Sequence, residues 1–357
     1  MRDAIVISGW TWDARNVPER LALALARTGA RVLYCENPVS FIRRPSANPS
    51  EVAVRVFRFR PVLLSHRLNR QRGLSQLQAL LVRNQIMRVA RRLELNDPVF
   101  FYPHGEYTRT LAAAMKRQGR PLVHICMDYE IQNQMEHVQL SDVTLAIPEA
   151  AFSELRERLG AKIRRLPQFA APSSATPPPA LVPVLPRELQ PIPRPWLVYF
   201  GSIDGRVDLK LLAQVLRNHP EWHFISFGRE DCLALPNSHV LPWGPPDYWS
   251  PLLSGDAIGF LPYDCLDLKN LYCVPLKLFD YFARGLPVVS TPIAYVRDYP
   301  DLVYTGGNAD ELASAILAAL HEPPDSSLKA KRMALAAEHS IENLSRILEP
   351  LLGEAAL

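Results

Sequence analysis

Short apolar runs that suit β-strands alternate with amphipathic helical patterns along the chain, and this alternation is the feature that most restricts its fold. Residues 4–8 form an apolar run, residues 17–28 carry a helical pattern that ends at Gly29, and residues 31–35 form a second apolar run. A strand, a helix, a glycine and a strand in this order form a βαβ unit, whose two strands lie parallel in one sheet. The same order recurs as far as residue 159. The first part of the chain therefore predicts an α/β domain with a doubly wound sheet.

A proline-rich stretch separates this pattern from a second one like it, and a length of 357 residues suits two domains. The prolines of the stretch are Pro172, Pro177, Pro178, Pro179, Pro183, Pro186, Pro191, Pro193 and Pro195. Because proline lacks a backbone N–H, the composition predicts a stiff, extended linker at 172–195. We expect Rossmann-like domains at 1–171 and 196–339, with the helical residues 340–357 packing back on the first. Ligands of such sheets bind beyond the carboxyl ends of the strands, in a cleft.

Positive charge is concentrated in one segment. The chain carries a net charge of +4 at pH 7, but no acidic residue lies between Glu51 and Glu94. The arginines there are Arg55, Arg58, Arg60, Arg67, Arg70, Arg72, Arg83, Arg88, Arg91 and Arg92. Such a field attracts phosphate-bearing partners, so the segment 55–92 predicts contact with an anionic membrane surface, a pyrophosphate-linked lipid or nucleic acid. A solvated helix face is the alternative. Nucleic acid is not expected, because aromatic residues are sparse there and no recognition motif occurs.

Cysteine usage and hydropathy indicate the cellular compartment in which we expect the protein. The cysteines Cys35, Cys126, Cys232, Cys265 and Cys273 are odd in number and lack C-x-x-C spacing, which predicts reduced thiols and no zinc site. No run approaches the length of about 18 uncharged apolar residues that a membrane-spanning helix needs. The N-terminal apolar stretch has no small-residue cleavage site, so it predicts a strand and not a signal peptide. We therefore expect a cytoplasmic protein that can reach the inner face of the cytoplasmic membrane.

The segment 275–291, which reads Pro-Leu-Lys-Leu-Phe-Asp-Tyr-Phe-Ala-Arg-Gly-Leu-Pro-Val-Val-Ser-Thr, resembles the donor-site motif of GT-B glycosyltransferases. In particular it is similar to bacterial members of glycosyltransferase family 4, whose motif runs roughly P-x-K-x-x-E-Y-x-A-x-G-x-P-V-V-x-T. The resemblance implies the GT-B fold, an α/β architecture in which two Rossmann-like, doubly wound domains face a cleft. A loop that enters a helix suits a diphosphate, because the first N–H groups of a helix are free.

Other segments extend the resemblance over most of the chain. They are 9–12, 32–38, 126–129, 140–142 and 199–208. The family motif carries two acids. The later one corresponds to Asp280, and the earlier position, eight residues before it, holds Tyr272. A tyrosine cannot serve as the carboxylate that the family uses there.

The resemblance and the chemistry of sugar transfer together indicate a set of donor-binding residues. They are Gly201, Ser202, Arg206, Leu276, Lys277, Asp280 and Trp243. Lys277 and Arg206 would neutralise the diphosphate leaving group, which is the main electrostatic task of a site without a metal ion. The alternatives are a solvated lysine and an arginine that pairs with Asp208.

The other donor-site candidates have structural alternatives of their own. Asp280 would accept hydrogen bonds from the ribose hydroxyls, and otherwise it is a surface acid. Gly201 and Ser202 would let the backbone approach phosphate, although a tight turn explains the glycine almost as well. Leu276 begins the donor helix. Trp243 would border the nucleobase or lie in the core.

Four residues that follow predicted strands of the first domain are candidates for the chemistry and for the acceptor. The resemblance gives His104 a contact with the donor sugar, and the alternative is a buried, hydrogen-bonded histidine. Asp128 would act as a general base on an acceptor hydroxyl if transfer inverts, or it would cap a turn. Gly9 and Trp10 would contact the acceptor or a phosphate.

These observations predict an enzyme, a glycosyltransferase. It would move a hexosyl-type sugar from a UDP- or GDP-sugar to a lipid-linked or cell-surface glycan acceptor, and the resemblance implies retention of configuration. No D-x-D pair occurs, so we expect no metal ion and no cofactor besides the nucleotide-sugar co-substrate. The alternatives are a non-catalytic GT-B partner protein, suggested by Tyr272, and a nucleotide-sugar epimerase on the same fold.

Overall fold

The computed structural model divides the chain into two compact units. It describes residues 1–12, 16–40, 48–65, 72–169, 187, 189–201, 203, 205–227, 233–242, 257–324 and 326–353, with 72, 73 and 106 described by their backbone alone. Unit 1 consists of Met1–Ala171 and Ser340–Leu357, and unit 2 consists of Pro172–His339. The C-terminal residues of the chain therefore belong to the same unit as its N-terminus.

Unit 1 is built on an eight-stranded sheet of the described residues. Its strands are β1 (Ala4–Ile7), β2 (Val32–Cys35), β4 (Ser50–Ala53), β5 (Val56–Phe59), β7 (Val99–Pro103), β8 (Leu122–Cys126), β9 (Val143–Ala146) and β10 (Ile163–Arg165), and β3 (Val39–Ser40) pairs separately with β6 (Val62–Leu63). The spatial order of the sheet is β10-β9-β8-β7-β1-β2-β5-β4, and only the β4–β5 pair is antiparallel. The central strands β1 and β7 are buried at every position, as expected for a parallel sheet covered on both faces.

The helices of unit 1 alternate with these strands. They are α1 (Val17–Arg27), α2 (Arg72–Arg92), α3 (Glu106–Lys116), α4 (Ile131–Leu140), α5 (Glu149–Leu159) and α12 (Ile341–Leu348), which a 3-10 turn at Glu349–Leu352 follows. The first helix begins at Val17 because the side chain of Asn16 caps it, accepting the N–H of Glu19 at 3.0 Å. We predicted no element for most of the arginine-rich segment 55–92, whose described residues form β5, β6 and the long helix α2.

Unit 2 is a smaller sheet of the same kind. Its strands are β11 (Trp196–Val198), β12 (His223–Phe227), β13 (Ser238–Leu241), β14 (Ala257–Leu261), β15 (Val288–Ser290) and β16 (Val303–Thr305). The six described strands are all parallel, in the order β13-β12-β11-β14-β15-β16. The helices are α6 (Leu209–Asn218), α7 (Leu268–Leu271), α8 (Leu276–Phe282), α9 (Ala294–Arg297), α10 (Ala309–Leu320) and α11 (Ser327–Glu338).

The last two α-helices of the described chain belong to different units. α11 belongs to unit 2, whereas α12 packs against α1 in unit 1. The break falls at His339–Ser340, where the Ser340 side chain accepts the N–H of Asn343 and begins α12. The residues after α12 also contact the N-terminus of unit 1, since the N–H of Arg2 donates to the carbonyl of Leu352 at 2.9 Å.

The end of the proline-rich window packs on unit 2, although we expected an extended connection through residue 195. Leu189 is fully buried, and the indole N–H of Trp196 donates to the carbonyl of Pro193 at 2.8 Å. The guanidinium of Arg194 lies 4.0 Å from the centre of the same indole ring. Most of the window, at 172–186 and 188, lies outside the described residues.

Among the helices that the structure describes, none combines the length and the apolar character that a membrane span requires.

Candidate active site

The order of the strands in unit 2 identifies the edge of the sheet where a ligand would bind. From β11 the chain continues to β12 and β13 on one side, and it then returns to β14 on the other side. The loops that leave β11 and β14 therefore separate in opposite directions at their carboxyl ends. In open α/β sheets this switch point opens a crevice that holds ligands. The residues that follow Val198 and Leu261 form the edge of that crevice.

Lys277 lies at this switch point, in the first turn of α8. Its ammonium nitrogen donates a hydrogen bond to the hydroxyl of Tyr263 at 3.1 Å. It also lies 3.9 Å from the centre of the Tyr199 ring, a cation–π contact. Tyr199 follows β11 and Tyr263 follows β14, so the lysine lies between the two diverging loops. Among the described residues no carboxylate forms an ion pair with Lys277, which leaves its charge available to an anion.

Gly201 brings the backbone close to Lys277. A Cβ built on Gly201 would lie 3.2 Å from the Nζ atom of Lys277 and 3.3 Å from the ring of Tyr199. A larger residue would therefore press on the lysine. The carbonyl of Gly201 accepts the N–H of Phe227 at 3.2 Å, which fixes the loop against β12. Gly201 and Lys277 thus lie together, and the approach of Gly201 to a phosphate stays a prediction.

A buried tyrosine fixes α8 to the end of β11. The hydroxyl of Tyr281 donates to the carbonyl of Val198 at 2.8 Å and accepts the N–H of Phe200 at 2.9 Å. Tyr281 follows Lys277 by one turn of the helix, so the two side chains share a face. We expected β11 to continue to Phe200, but it ends at Val198. The N–H of Tyr199 still donates to the carbonyl of Ile225 on β12 at 2.8 Å, whereas the N–H of Phe200 bonds the Tyr281 hydroxyl. Gly259 of β14 makes room for the ring, since a Cβ there would lie 2.6 Å from Cγ of Tyr281.

Arg206 lies beside the same pair of loops. The carbonyl of Arg206 accepts the N–H of Asp264 at 2.8 Å, and Val207 forms an isolated antiparallel bridge with Tyr263. Burial raises the pKa of Tyr263 well above its usual value, and the charge of Arg206 acts in the opposite direction. The Asp208 carboxylate caps α6, accepting the N–H of Leu211 at 2.9 Å. Arg206 and Lys277 are therefore both close enough to Tyr263 to act on its hydroxyl.

The other predicted donor-site residues have simpler surroundings. Leu276 is the first residue of α8 and is half-buried, as is Asp280 one turn further along. The main-chain carbonyl of Asp280 accepts a hydrogen bond from the guanidinium of Arg284 at 3.1 Å. Tyr272, which stands in place of the first motif acid, ends the short helix α7. Ser202 and Trp243 lie outside the described residues.

Unit 1 has a switch point of its own, between β1 and β7. Gly9 and Trp10 follow β1, and the indole of Trp10 is half exposed. The hydroxyl of Ser8 accepts two hydrogen bonds, from Tyr34 Oη at 2.7 Å and from the N–H of Trp10 at 3.0 Å. A Cβ on Gly9 would meet no atom within 4 Å, so open space lies beside this glycine. Gly9 and Trp10 therefore lie at the switch point of unit 1, and their contact with an acceptor or a phosphate stays a prediction.

His104 follows β7 at the same edge, next to two buried histidines. His124 is fully buried and contacts the Gln134 side-chain amide at 2.8 Å and the Tyr102 carbonyl at 3.2 Å. The N–H of Gly105 donates to Nε2 of His137 at 3.2 Å. The Nδ1 atom of His104 is buried without a hydrogen-bond partner among the described residues. His137 therefore fixes the backbone that carries His104.

The two buried histidines, His124 and His137, are neutral at physiological pH, because burial lowers the pKa of each ring. Burial lowers the pKa of His137 to about 4, with further contributions from His104 and Arg109. Burial lowers the pKa of His124 to about 3, and His137 and His104 add to the effect. Because Nε2 of His137 accepts a hydrogen bond, the proton of its neutral ring is on Nδ1. The Nδ1 atom is buried and has no partner in the described part of the chain.

Asp128 follows β8, the strand next to β7 in the sheet. Its main-chain carbonyl accepts the N–H of Glu130 at 3.1 Å. Burial raises the pKa of Cys126 to about 12, and the charge of Asp128 adds to this effect. His104 and Asp128 thus follow adjacent strands at one edge.

Sequence reasoning missed the aromatic residues that hold the candidate site together. Tyr199 directly follows β11, Tyr263 lies two residues after β14, and Tyr281 lies one turn after Lys277. The position of Tyr263 after a strand end was a usable signal, but Trp243 was the one aromatic residue among the predicted donor-binding residues. His137 was missed because it lies on a helix whose place beside His104 depends on the fold. No group of three metal-binding side chains forms among the described residues.

Comparisons with known proteins relate this chain to glycosyltransferases. No protein-family model matches the sequence. A segment is 31% identical over 109 residues to TuaH of Bacillus subtilis (strain 168), whose name describes a glycosyltransferase of teichuronic acid biosynthesis. The match covers 27% of this chain and 26% of that protein. The match is too short to establish a family.

Solved structures match the whole chain. Sucrose-phosphate synthase (tll1590) from Thermosynechococcus elongatus superimposes with a TM-score of 0.71 at 13% identity, covering 98% of both chains. Anabaena Alr3699/HepE, solved in complex with UDP and glucose, gives a TM-score of 0.67 at 13% identity and covers 99% of this chain and 100% of that one. The protein has the GT-B fold, as the sequence predicted. Membership of family 4 stays a prediction.

Proposed function

We propose that this protein is a glycosyltransferase that moves a hexosyl-type sugar from a UDP- or GDP-sugar to a lipid-linked or cell-surface glycan. The observation that carries the proposal is the position of Lys277. Its ammonium group lies at the switch point of unit 2, beside Gly201 and without a carboxylate partner among the described residues. A half-buried cation against a glycine backbone suits a diphosphate. UDP is the first nucleotide to test, because HepE was solved with UDP bound.

The chemistry needs stabilisation of the leaving group. The bond between the anomeric carbon and the diphosphate oxygen breaks, and its electron pair leaves with the nucleoside diphosphate. The acceptor hydroxyl forms the new bond to the anomeric carbon and gives up its proton. Lys277 and Arg206 would offset the negative charge that develops on the diphosphate, and Asp280 would bind the ribose hydroxyls. His104 would contact the donor sugar, as the resemblance implies, and Asp128 would act as a general base on the acceptor hydroxyl only if transfer inverts.

Transfer is proposed to retain configuration and to need no metal ion. The sequence has no D-x-D pair, and the aspartates along this edge already cap backbone N–H groups. Asp264 accepts the N–H of Leu266 at 2.9 Å, and Asp267 accepts that of Lys269 at 2.8 Å. Lys277 and Arg206 would supply the positive charge instead. The arginine-rich segment and the assignment of TuaH to teichuronic acid biosynthesis support the proposed acceptor class.

Thermal stabilisation of the purified full chain by UDP-, GDP- and dTDP-sugars tests the donor. We expect one nucleotide to raise the Tm, and the same donor to release its nucleoside diphosphate when a membrane extract supplies the acceptor. EDTA should leave the rate unchanged, and the proton NMR coupling of the product should show the donor's anomeric configuration. If no nucleotide shifts the Tm of folded protein, the proposal fails, and a non-catalytic GT-B protein becomes the better description.

A further inference from the structure

The outward face of α2 carries a continuous stripe of exposed positions. They are 74, 77, 81, 84, 88 and 91, spaced alternately three and four residues apart, so they lie on one side of the helix. The first three are Leu74, Leu77 and Leu81, with 41%, 49% and 38% of their surface exposed. The last three are Asn84, Arg88 and Arg91. One face of a single helix is thus apolar in its first half and basic in its second.

The leucines of this stripe are not part of the core of unit 1. The opposite face of α2 supplies the core with Ala79, Val82, Ile86, Val89 and Ala90, all of which are buried. Leu64, after β6, is also exposed, and the N–H of the next residue, Ser65, donates to the side chain of Gln78 at 3.1 Å. This bond places Leu64 beside the leucine half of α2. An apolar patch of four leucines needs a partner, whereas single exposed leucines do not.

The charges of four arginines on α2 are not neutralised by any neighbouring carboxylate that the structure describes. Among the described residues none of Arg83, Arg88, Arg91 and Arg92 forms an ion pair with a carboxylate. Arg83 contacts the side-chain oxygen of Asn84 at 2.8 Å, and Arg91 donates to the carbonyl of Met87 at 3.3 Å. By contrast, Arg60 near β5 pairs with Glu36 at 2.7 Å. Four arginines without a carboxylate partner in the described part of the chain therefore lie on α2, on the same helix as the leucines.

We propose that α2 is a membrane-docking helix that lies in the headgroup region of an anionic bilayer. Leu64, Leu74, Leu77 and Leu81 would enter the boundary of the acyl chains, and Arg88, Arg91 and Arg92 would bind lipid phosphates. Amphipathic helices bind such surfaces through buried apolar area together with attraction to anionic lipid. Arginine side chains are long enough to reach headgroups from a helix that lies parallel to the surface. The inference is independent of the donor site in unit 2.

Other partners fit this face less well. A second copy of the chain would bring unpaired arginines into one interface, where like charges oppose association. Binding of single-stranded RNA relies on aromatic side chains, and α2 has none. A lipid surface would contact both halves of the stripe, because its phosphates would bind the arginines and the apolar layer beneath them would accept the leucines.

Cosedimentation of the full chain with vesicles tests the proposal. One set contains phosphatidylcholine alone, and the other contains about one third phosphatidylglycerol. We expect strong binding to the anionic set only. The variant with Arg88→Gln, Arg91→Gln and Arg92→Gln should bind about 100-fold more weakly, at about fivefold for each arginine near an anionic surface. The variant with Leu74→Gln, Leu77→Gln and Leu81→Gln should lose at least about tenfold, since its apolar area is gone.

Matched variants control for net charge and for surface hydrophobicity. The charge control carries Arg117→Gln, Arg217→Gln and Arg346→Gln, all exposed, and the apolar control carries Leu317→Gln, an exposed leucine of α10. Both should bind as the wild type does. Equal binding to both vesicle sets, or an equal loss in the charge control, would overturn the proposal. The proposal would also fail if the leucine variant changed the oligomeric state but not the binding of vesicles. It would fail as well if the protein bound RNA through α2 and did not bind vesicles.

Discussion

The ammonium nitrogen of Lys277 lies 3.9 Å from the centre of the Tyr199 ring. The ring follows the central strand β11, and the lysine lies on α8, nearly eighty positions later in the chain. A second ring, that of Tyr263, bonds the same nitrogen through its hydroxyl at 3.1 Å. Aromatic rings and a hydroxyl hold the cation in place without neutralising it. Lys277 is therefore positioned for an anionic ligand before that ligand arrives.

Lys277→Met keeps the apolar stem of the lysine and removes its charge. We expect kcat/KM for sugar transfer to fall by about 100-fold or more, because one group that stabilises a developing anion contributes on that order. Nucleoside diphosphate release measures the rate, and the Tm shift with UDP measures binding. Lys331→Met, at an exposed position of α11, is the matched control. A variant at Lys277 that keeps the full Tm shift and rate would contradict the assigned role.

Gly259→Ala should destabilise unit 2, because the added Cβ would overlap the buried ring of Tyr281. The ring cannot move freely, since its hydroxyl bonds Val198 and Phe200. We expect a loss of about 1–3 kcal/mol in the free energy of unfolding, typical of an overpacked core. Urea denaturation measures it. Gly307→Ala, where the nearest atom lies 3.4 Å from the added Cβ, should change little; equal losses at both sites would refute the packing argument.

The buried histidines predict a dependence of stability on pH. The pKa of His137 is about 4 in the folded chain, against an ordinary value of 6.5 that the unfolded chain recovers. Between these values the unfolded chain binds a proton that the folded chain does not, so stability falls as the pH is lowered from 6.5 toward 4. From pH 7 to pH 5 we expect His137 to account for a loss of about 2 kcal/mol.

His137→Gln should remove that part of the pH dependence while His124 retains its own. Urea unfolding at pH 7 and pH 5 measures both proteins. Gln132→Ala is the control, because it changes an exposed side chain of the same helix that does not titrate. If His137→Gln and the wild type lose the same stability between the two pH values, His137 is not the neutral group that the structure indicates.

A buried ion pair joins α11 to the turn that follows α10 in unit 2. Arg332 donates two hydrogen bonds to Glu322, at 2.7 and 2.8 Å, and its Nε–H donates to the carbonyl of Leu302 at 2.9 Å. The arginine side chain is fully buried. Glu322→Gln leaves the guanidinium charge without a counterion, so we expect a loss of about 3–5 kcal/mol.

Chemical denaturation measures the effect of Glu322→Gln. Glu221→Gln, at an exposed pair with His219, is the comparison and should cost less than about 1 kcal/mol. A cost for Glu322→Gln as small as that of Glu221→Gln would show that the buried pair carries little of the stability of unit 2.

Hydrophobic periodicity predicted the alternation of strands and helices in both units, because parallel strands and amphipathic helices leave different apolar spacings in a sequence. It did not predict β5 and α2 of the arginine-rich segment, and it did not predict where β11 ends. Beyond Val198 the N–H of Phe200 bonds Tyr281, which lies on a distant helix, and no local pattern indicates such a contact.

The sequence by itself determined the α/β class, the two halves and the chemical types of Gly201, Arg206 and Lys277. These follow from local spacing and from a motif of contiguous residues. Only the tertiary structure decided which side chains meet: Tyr263 with Lys277, Gly259 with Tyr281, and His137 with the backbone of Gly105. Each pair is separated along the chain, and its members meet because β11 and β14, or β7 and β8, pair in a particular order. Strand order is a property of the packed sheet, and no local pattern of residues encodes it.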